Sequence, residues 1–257
     1  MPKPLARAVE RSCAQVNCPG NSRTSPMKLF IGLIAFCTAL FSNICSAKST
    51  GENIIISGGV SLHKWEMYRP DPHDNWWMNF VRAARIRIQE IRETDEEARI
   101  TWLVYRPAYE RRSGQERRDL LGLIDSVRDA YGVNRVYFSN TAELVSYLNK
   151  GQDRSQIKIE NLEYFGHSNK ACWMFDYSNF VDGASKAWLH EDDLNQLQVG
   201  IFEKAAFVKS WGCHTGESMS QVFKRLTGVR MWGAVGKTQY QTDELPKLAG
   251  RWGRWSG

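Results

Sequence analysis

The chain has 257 residues, of which 42% are hydrophobic and 24% charged, and a formal net charge of +6. That length provides for one large domain or two small ones around a packed core. The basic excess is concentrated in the first 47 residues, where Lys3, Arg7, Arg11, Arg23 and Lys28 face Glu10 alone and hold four of the six net charges, so overall charge gives no grounds for a nucleic-acid partner.

Residues 1–26 show no apolar periodicity and read as a non-native or mis-started extension. Residues 27–47 read as a secretory signal peptide, with Lys28 ahead of a short apolar run and Cys45-Ser46-Ala47 as its small-residue end. The expectation is an exported protein, periplasmic or extracellular, with no stable membrane span once the signal is removed. Four of the six cysteines, Cys13, Cys18, Cys37 and Cys45, precede the expected cleavage point. Cys172 and Cys213 remain, and in an oxidising compartment a Cys172–Cys213 disulfide is one reading of the pair.

From residue 52 onward, strand and helix patterns alternate. Residues 53–59 form an apolar run ending in glycines, a first strand. Residues 75–93 place Trp77, Phe80, Val81, Ala84, Ile88 and Ile91 at helical spacing. Residues 100–105 read as a buried strand halted by Arg106-Pro107. A helix follows over 115–130, then a strand over 135–138 and a short helix over 141–148. The next strand ends at Gly166-His167, and a polar-aromatic loop follows it. A helix near 190–198, a strand ending at Gly212-Cys213, a helix over 217–226 and a strand over 229–235 complete the pattern. Such alternation predicts a three-layer α/β/α sandwich with a mostly parallel sheet, one domain over 48–245 with a C-terminal tail over 246–257.

Two strands stop at a glycine and release a reactive residue, His167 in one and Cys213 in the other. If those strands are parallel neighbours, imidazole and thiol emerge at the same sheet edge, as a thiolate nucleophile and its base require. Thr215 is placed to cap the helix after Cys213, whose N-terminus would lower the thiol's pKa and offer amides to an oxyanion. His214, one residue on from the cysteine, should point the other way if the strand persists, which makes it the weaker base candidate.

Phe-Gly-His167-Ser168, with Trp-Gly-Cys213-His-Thr-Gly216 46 residues further on, resembles the caspase-like clan of cysteine peptidases, nearer its gingipain, separase and CHAT branches than caspases proper. The resemblance implies a caspase-like fold and hydrolysis of a polypeptide substrate. It makes Cys213 the nucleophile and His167 its proton carrier, with the Ser168 and Cys213 amides as oxyanion hole. Gly166, Gly212, Thr215 and Gly216 would support the site, with neither cofactor nor metal. The clan usually carries glycine where this chain has Ser168.

Other readings stand beside it. The disulfide would suit a non-catalytic binding or assembly module of the same fold. Gly166-His-Ser168-Asn-Lys170 approaches the serine elbow Gly-x-Ser-x-Gly, with Lys170 in the last glycine's place. Cys172, His190, Cys213 and His214 lack metal-ligand spacing. Glu191-Asp-Asp193 suits the first turn of a helix, and most of the tryptophans read as core, with a carbohydrate or peptide platform near Trp173 as the alternative.

Overall fold

The computed structural model describes residues 50–60, 78–177, 186–241 and 243–257. The extension, the signal segment and the start of the helix expected at 75–93 lie outside the described residues. The sheet begins with β1 (Glu52–Ser57), followed by α1 (Asn79–Thr94), β2 (Arg99–Tyr105), α2 (Arg106–Glu116), α3 (Leu120–Tyr131), β3 (Asn134–Phe138), α4 (Thr141–Lys150) and β4 (Ile159–Phe165). A hairpin region follows, with β5 (His167–Ser168), β6 (Cys172–Met174) and β7 (Trp188–His190). The chain then runs through a 3-10 helix (Glu191–Gln196), β8 (Phe202–Ser210), α5 (Met219–Thr227), β9 (Met231–Val235), β10 (Thr238–Gln239), β11 (Lys247–Leu248) and β12 (Arg254–Ser256).

Seven strands make the central sheet in the order β12-β9-β8-β4-β1-β2-β3. Six are mutually parallel, and β12 closes the β9 edge antiparallel. The α/β architecture and the mostly parallel sheet agree with the sequence pattern.

The reason is clearest at β1. Ile54, Ile55 and Ile56 are all fully buried: Ile54 and Ile56 enter one core, and Ile55 enters the other. A strand covered on both faces reads as a continuous apolar run, and burying each such side chain contributes about 1.5–3 kcal/mol. One face carries α1 and α3 through Phe80, Ala84, Ile88, Leu120 and Ile124. The other carries α4, the 3-10 helix and α5 through Leu144, Leu194, Met219 and Phe223.

Local signals set the helix ends. The Asp119 carboxylate accepts the Gly122 N–H at 2.8 Å to start α3, and Gly132, at φ +58°, ends it. Asn140 accepts the Glu143 N–H at 2.9 Å, while the Glu143 carboxylate returns to the Ser139 N–H at 2.7 Å.

The structure corrects three expectations. Arg106-Pro107 ends β2 but also begins α2, a helix the sequence reading did not expect, because a proline without an N–H suits a helix's first turn; the helix expected over 115–130 is present as α3 but starts later, at Leu120. The segment expected to be a loop after His167 folds, in its described residues, into the antiparallel sheet β5-β6-β7. The helix near 190–198 is a 3-10 helix, in which Asp193 accepts the His190 N–H at 3.0 Å as its first-turn position suggested. The tail over 246–257 joins the fold, since β11 pairs with β10 and β12 with β9.

At the sheet's N-terminal edge, Glu52 is fully buried and receives hydrogen bonds from Arg154 (2.6 Å), Thr101 (2.5 Å) and Tyr147 (2.8 Å). Arg154 also donates to the carbonyls of Leu148 and Ile157, joining the end of α4 to the start of β1. Arg154→Met strands the Glu52 carboxylate, so chemical denaturation should find a loss of about 3–5 kcal/mol; adding Glu52→Leu should recover much of it.

Candidate active site

β3 leads back across the sheet to β4, which lies on the side of β1 opposite β2. The strand order therefore reverses between β1 and β4, and the C-terminal ends at such a reversal are the usual binding position in sheets of this kind. His167 leaves β4 there, and Cys213 follows the adjacent parallel strand β8. The neighbouring strands that the sequence required are thus present. β8 itself ends at Ser210, so Cys213 sits in the loop beyond it.

The two glycines before these residues create room. A Cβ on Gly166 would overlap the Tyr164 hydroxyl, which reaches the carbonyls of His167 at 2.7 Å and Met174 at 3.0 Å. A Cβ on Gly212 would overlap Ser168 Oγ, which donates to the Cys213 carbonyl at 2.7 Å. Ser168 therefore clasps the two strand exits together. It is 7% exposed with its proton committed, and it leads into the β5–β6 hairpin in place of a helix, so the strand-turn-helix context of a serine elbow is not formed.

The hairpin also orients the Ser168 amide. Asn169 N–H donates to the Cys172 carbonyl at 3.1 Å, a hydrogen-bonded position of the β5–β6 ladder. Alternation then makes Ser168, opposite Trp173, a non-hydrogen-bonded position whose N–H points away from β6.

The His167 ring is held between aromatics. Phe80 meets it edge-to-face at 5.0 Å, and Tyr177 stacks on it at 4.8 Å. Phe80 also touches Tyr240 at 4.9 Å, and the Tyr240 hydroxyl accepts the Gly166 N–H at 2.9 Å.

Cys213 is half-buried, and its sulfur receives the Thr238 N–H at 3.4 Å. Helix α5 begins only at Met219, after a 3-10 turn (Thr215–Glu217), and Thr215 makes no cap. The expected helix N-terminus is therefore absent at the thiol. Thr215 is fully buried beside Gly216, whose missing Cβ lets the turn press against Gly233 of β9.

His214 adopts a left-handed backbone at φ +64°, uncommon for a side chain with a Cβ. Its Nδ1 lies 2.7 Å from Glu217 Oε1, which also accepts the Gly236 N–H at 2.9 Å. The Gly236 amide, then His214, holds the Glu217 carboxyl below its ordinary value. This support is present above the carboxylate range and is lost as pH falls through the lowered value.

No disulfide joins Cys172 and Cys213, although the disulfide reading of the sequence would pair them. Burial, chiefly, pushes the Cys172 thiol up, with nearby carboxylates adding to it. Cys172 faces His190 across β6–β7, and His190 Nδ1 accepts the Asp192 N–H at 3.1 Å. Among the described residues, no group of three His, Cys, Asp or Glu is arranged to hold a metal. Trp173 is 1% exposed and stacked on Tyr164 at 4.6 Å, which rules it out as a surface platform.

The sequence reading missed Phe80, Tyr177, Thr238 and Tyr240. The last two left no readable signal in the sequence, because the strand β10 that carries Thr238 is only two residues long. No family model matches the chain, and neither a curated protein nor a solved structure matches it.

Replacing Gly212 by Ala forces Ser168 from the Cys213 carbonyl. Denaturation should show a loss of about 1–3 kcal/mol, in line with overpacking of a close contact. Ser168→Ala removes the clasp without a clash and should cost about 1–2 kcal/mol by the same measurement, with the fold retained.

Proposed function

We propose that the chain is a cysteine endopeptidase of caspase-like type, exported through the segment over 27–47. One observation carries the reading: His167 and Cys213 leave adjacent parallel strands at the same sheet edge, next to the point where the strand order reverses. A thiol and an imidazole so placed suit acyl transfer. His167 takes the thiol proton, the Cys213 sulfur bonds to the scissile carbonyl carbon, and the proton passes to the departing amine. Water then attacks the acyl-enzyme, and its proton returns through His167 to the sulfur as the acid leaves.

The carbonyl oxygen becomes an oxyanion in both halves of the reaction. The Ser168 amide, directed out of its hairpin, and the Cys213 amide are the donors assigned to it. A serine in the usual glycine's place is compatible with this role, because the donor is backbone and the side chain is spent on the Cys213 carbonyl. The substrate on this reading is a polypeptide, and neither cofactor nor nucleic acid is involved. Among the described residues, no helix is long and apolar enough to cross a membrane.

Labelling with electrophilic peptide probes tests the dyad. Cys213→Ala should abolish labelling, and His167→Ala should slow it by roughly 10²–10⁴-fold. Ser168→Ala should leave labelling dependent on Cys213. Equal labelling of wild type, Cys213→Ala and His167→Ala removes the proposal, and loss confined to Ser168→Ala would instead favour a serine hydrolase.

A further inference from the structure

Three atoms of Thr238 surround the Cys213 sulfur. Its N–H donates at 3.4 Å, its hydroxyl oxygen lies at 3.6 Å and its carbonyl oxygen at 3.9 Å. Thr238 is fully buried, and its hydroxyl donates to the Trp211 carbonyl at 2.8 Å. A hydroxyl has one proton to give, so with that proton on Trp211 its lone pairs are left to accept the S–H. The amide has the opposite preference. A hydrogen bond to an ionised acceptor is roughly twice as strong as one to a neutral acceptor, so an N–H aimed at sulfur favours the thiolate.

The turn before Thr238 fixes it in this position. The Gly236 carbonyl accepts the His214 N–H at 2.7 Å, and the Gly236 N–H donates to Glu217 at 2.9 Å. The β9–β10 turn is thus fastened at donor and acceptor alike to the loop that carries Cys213. On its other side, the Lys237 carbonyl accepts the Ala249 N–H at 2.8 Å. The Glu217 side chain is the part of this clamp that mutation can remove without touching the backbone.

We propose that Thr238 holds the Cys213 sulfur in both its thiol and thiolate forms, and that Glu217 is the positioning residue that keeps Thr238 there. Around the thiol, the hydroxyl accepts from sulfur and donates to Trp211. Around the thiolate, it turns to donate to sulfur beside the amide, giving the anion two donors from one residue. The released proton goes to His167 or to water. The inference rests on reading Cys213 as a nucleophile and adds the group that adjusts its ionisation.

The test is the pH dependence of alkylation by iodoacetamide in the full chain, read at Cys213 by mass spectrometry of its peptide. Cys172 serves as the internal reference. Thr238→Val keeps the side-chain shape without the hydroxyl, and the Cys213 midpoint should rise by about one pH unit while that of Cys172 stays in place. Thr238→Ser should restore the midpoint. Glu217→Ala should also raise it with Thr238 intact. An unmoved midpoint in folded Thr238→Val, or a serine that fails to restore it, overturns the proposal. Should Thr238→Val not fold, Glu217→Ala decides: a rise supports the proposal and an unmoved midpoint overturns it. No peptide substrate is needed, so the two readings separate. A shifted midpoint in a chain that cleaves no peptide supports the role of Thr238 and counts against the peptidase. An unmoved midpoint with Cys213-dependent cleavage does the reverse.

Discussion

The C-terminal edge of the sheet depends on one hydrogen bond, from the Trp211 indole N–H to the buried Glu163 carboxylate at 2.7 Å. Glu163 is fully buried on β4 and is compensated by the Arg87 guanidinium and the Asn161 amide. A buried carboxylate left without such donors would be costly, so the residues that satisfy it are strongly held in place. Trp211 is one of them. Its ring stacks on Phe165 at 5.7 Å, its backbone N–H donates to the Tyr164 carbonyl at 2.8 Å, and its carbonyl accepts the Thr238 hydroxyl. Two residues before Cys213, the chain is therefore fixed by side chain and backbone together, and the loop that carries the thiol starts from a rigid point.

That rigidity explains how a short glycine-containing loop can hold a set geometry. The Gly212 backbone approaches Ser168, Ser168 grips the Cys213 carbonyl, and the turn at Gly236 grips His214. Each link uses a backbone group or a short side chain, which loses little rotamer entropy when ordered. The His167 ring is packed between Phe80 and Tyr177.

The architecture was legible where burial leaves an unbroken mark. The isoleucine run of β1 read as a strand, and Phe80, Ala84, Ile88 and Ile91 read as the apolar stripe of a helix; the structure covers the strand on both faces and lays that helix on one of them. The reactive strand ends were legible because glycine followed by histidine or cysteine is a local pattern. Local rules were less useful where one residue has two meanings. Pro107 ends a strand and begins a helix by the same absence of an N–H. The three-residue strands β6 and β7 are too short for any period to show, and they pair with each other across residues of no regular pattern. Thr238 was illegible as a site residue for a related reason. Its importance comes from meeting a sulfur 25 positions earlier in the chain, a contact made by topology alone.

The docking of β12 has a consequence for assembly. Without it, β9 would present unpaired N–H and C=O groups along the sheet's outer border, a template on which another chain can lay a strand. Arg254, Trp255 and Ser256 occupy that border, and Trp255 sets its ring edge against Trp211 at 5.4 Å. Lys209 lies over both indoles, at 3.4 Å and 3.9 Å from their centres. A second molecule seeking to lengthen the sheet past β9 must first strip away this strand and the indole–ammonium cluster under it. Pairing with β9 itself is thus coupled to exposing the support of the loop that carries Cys213.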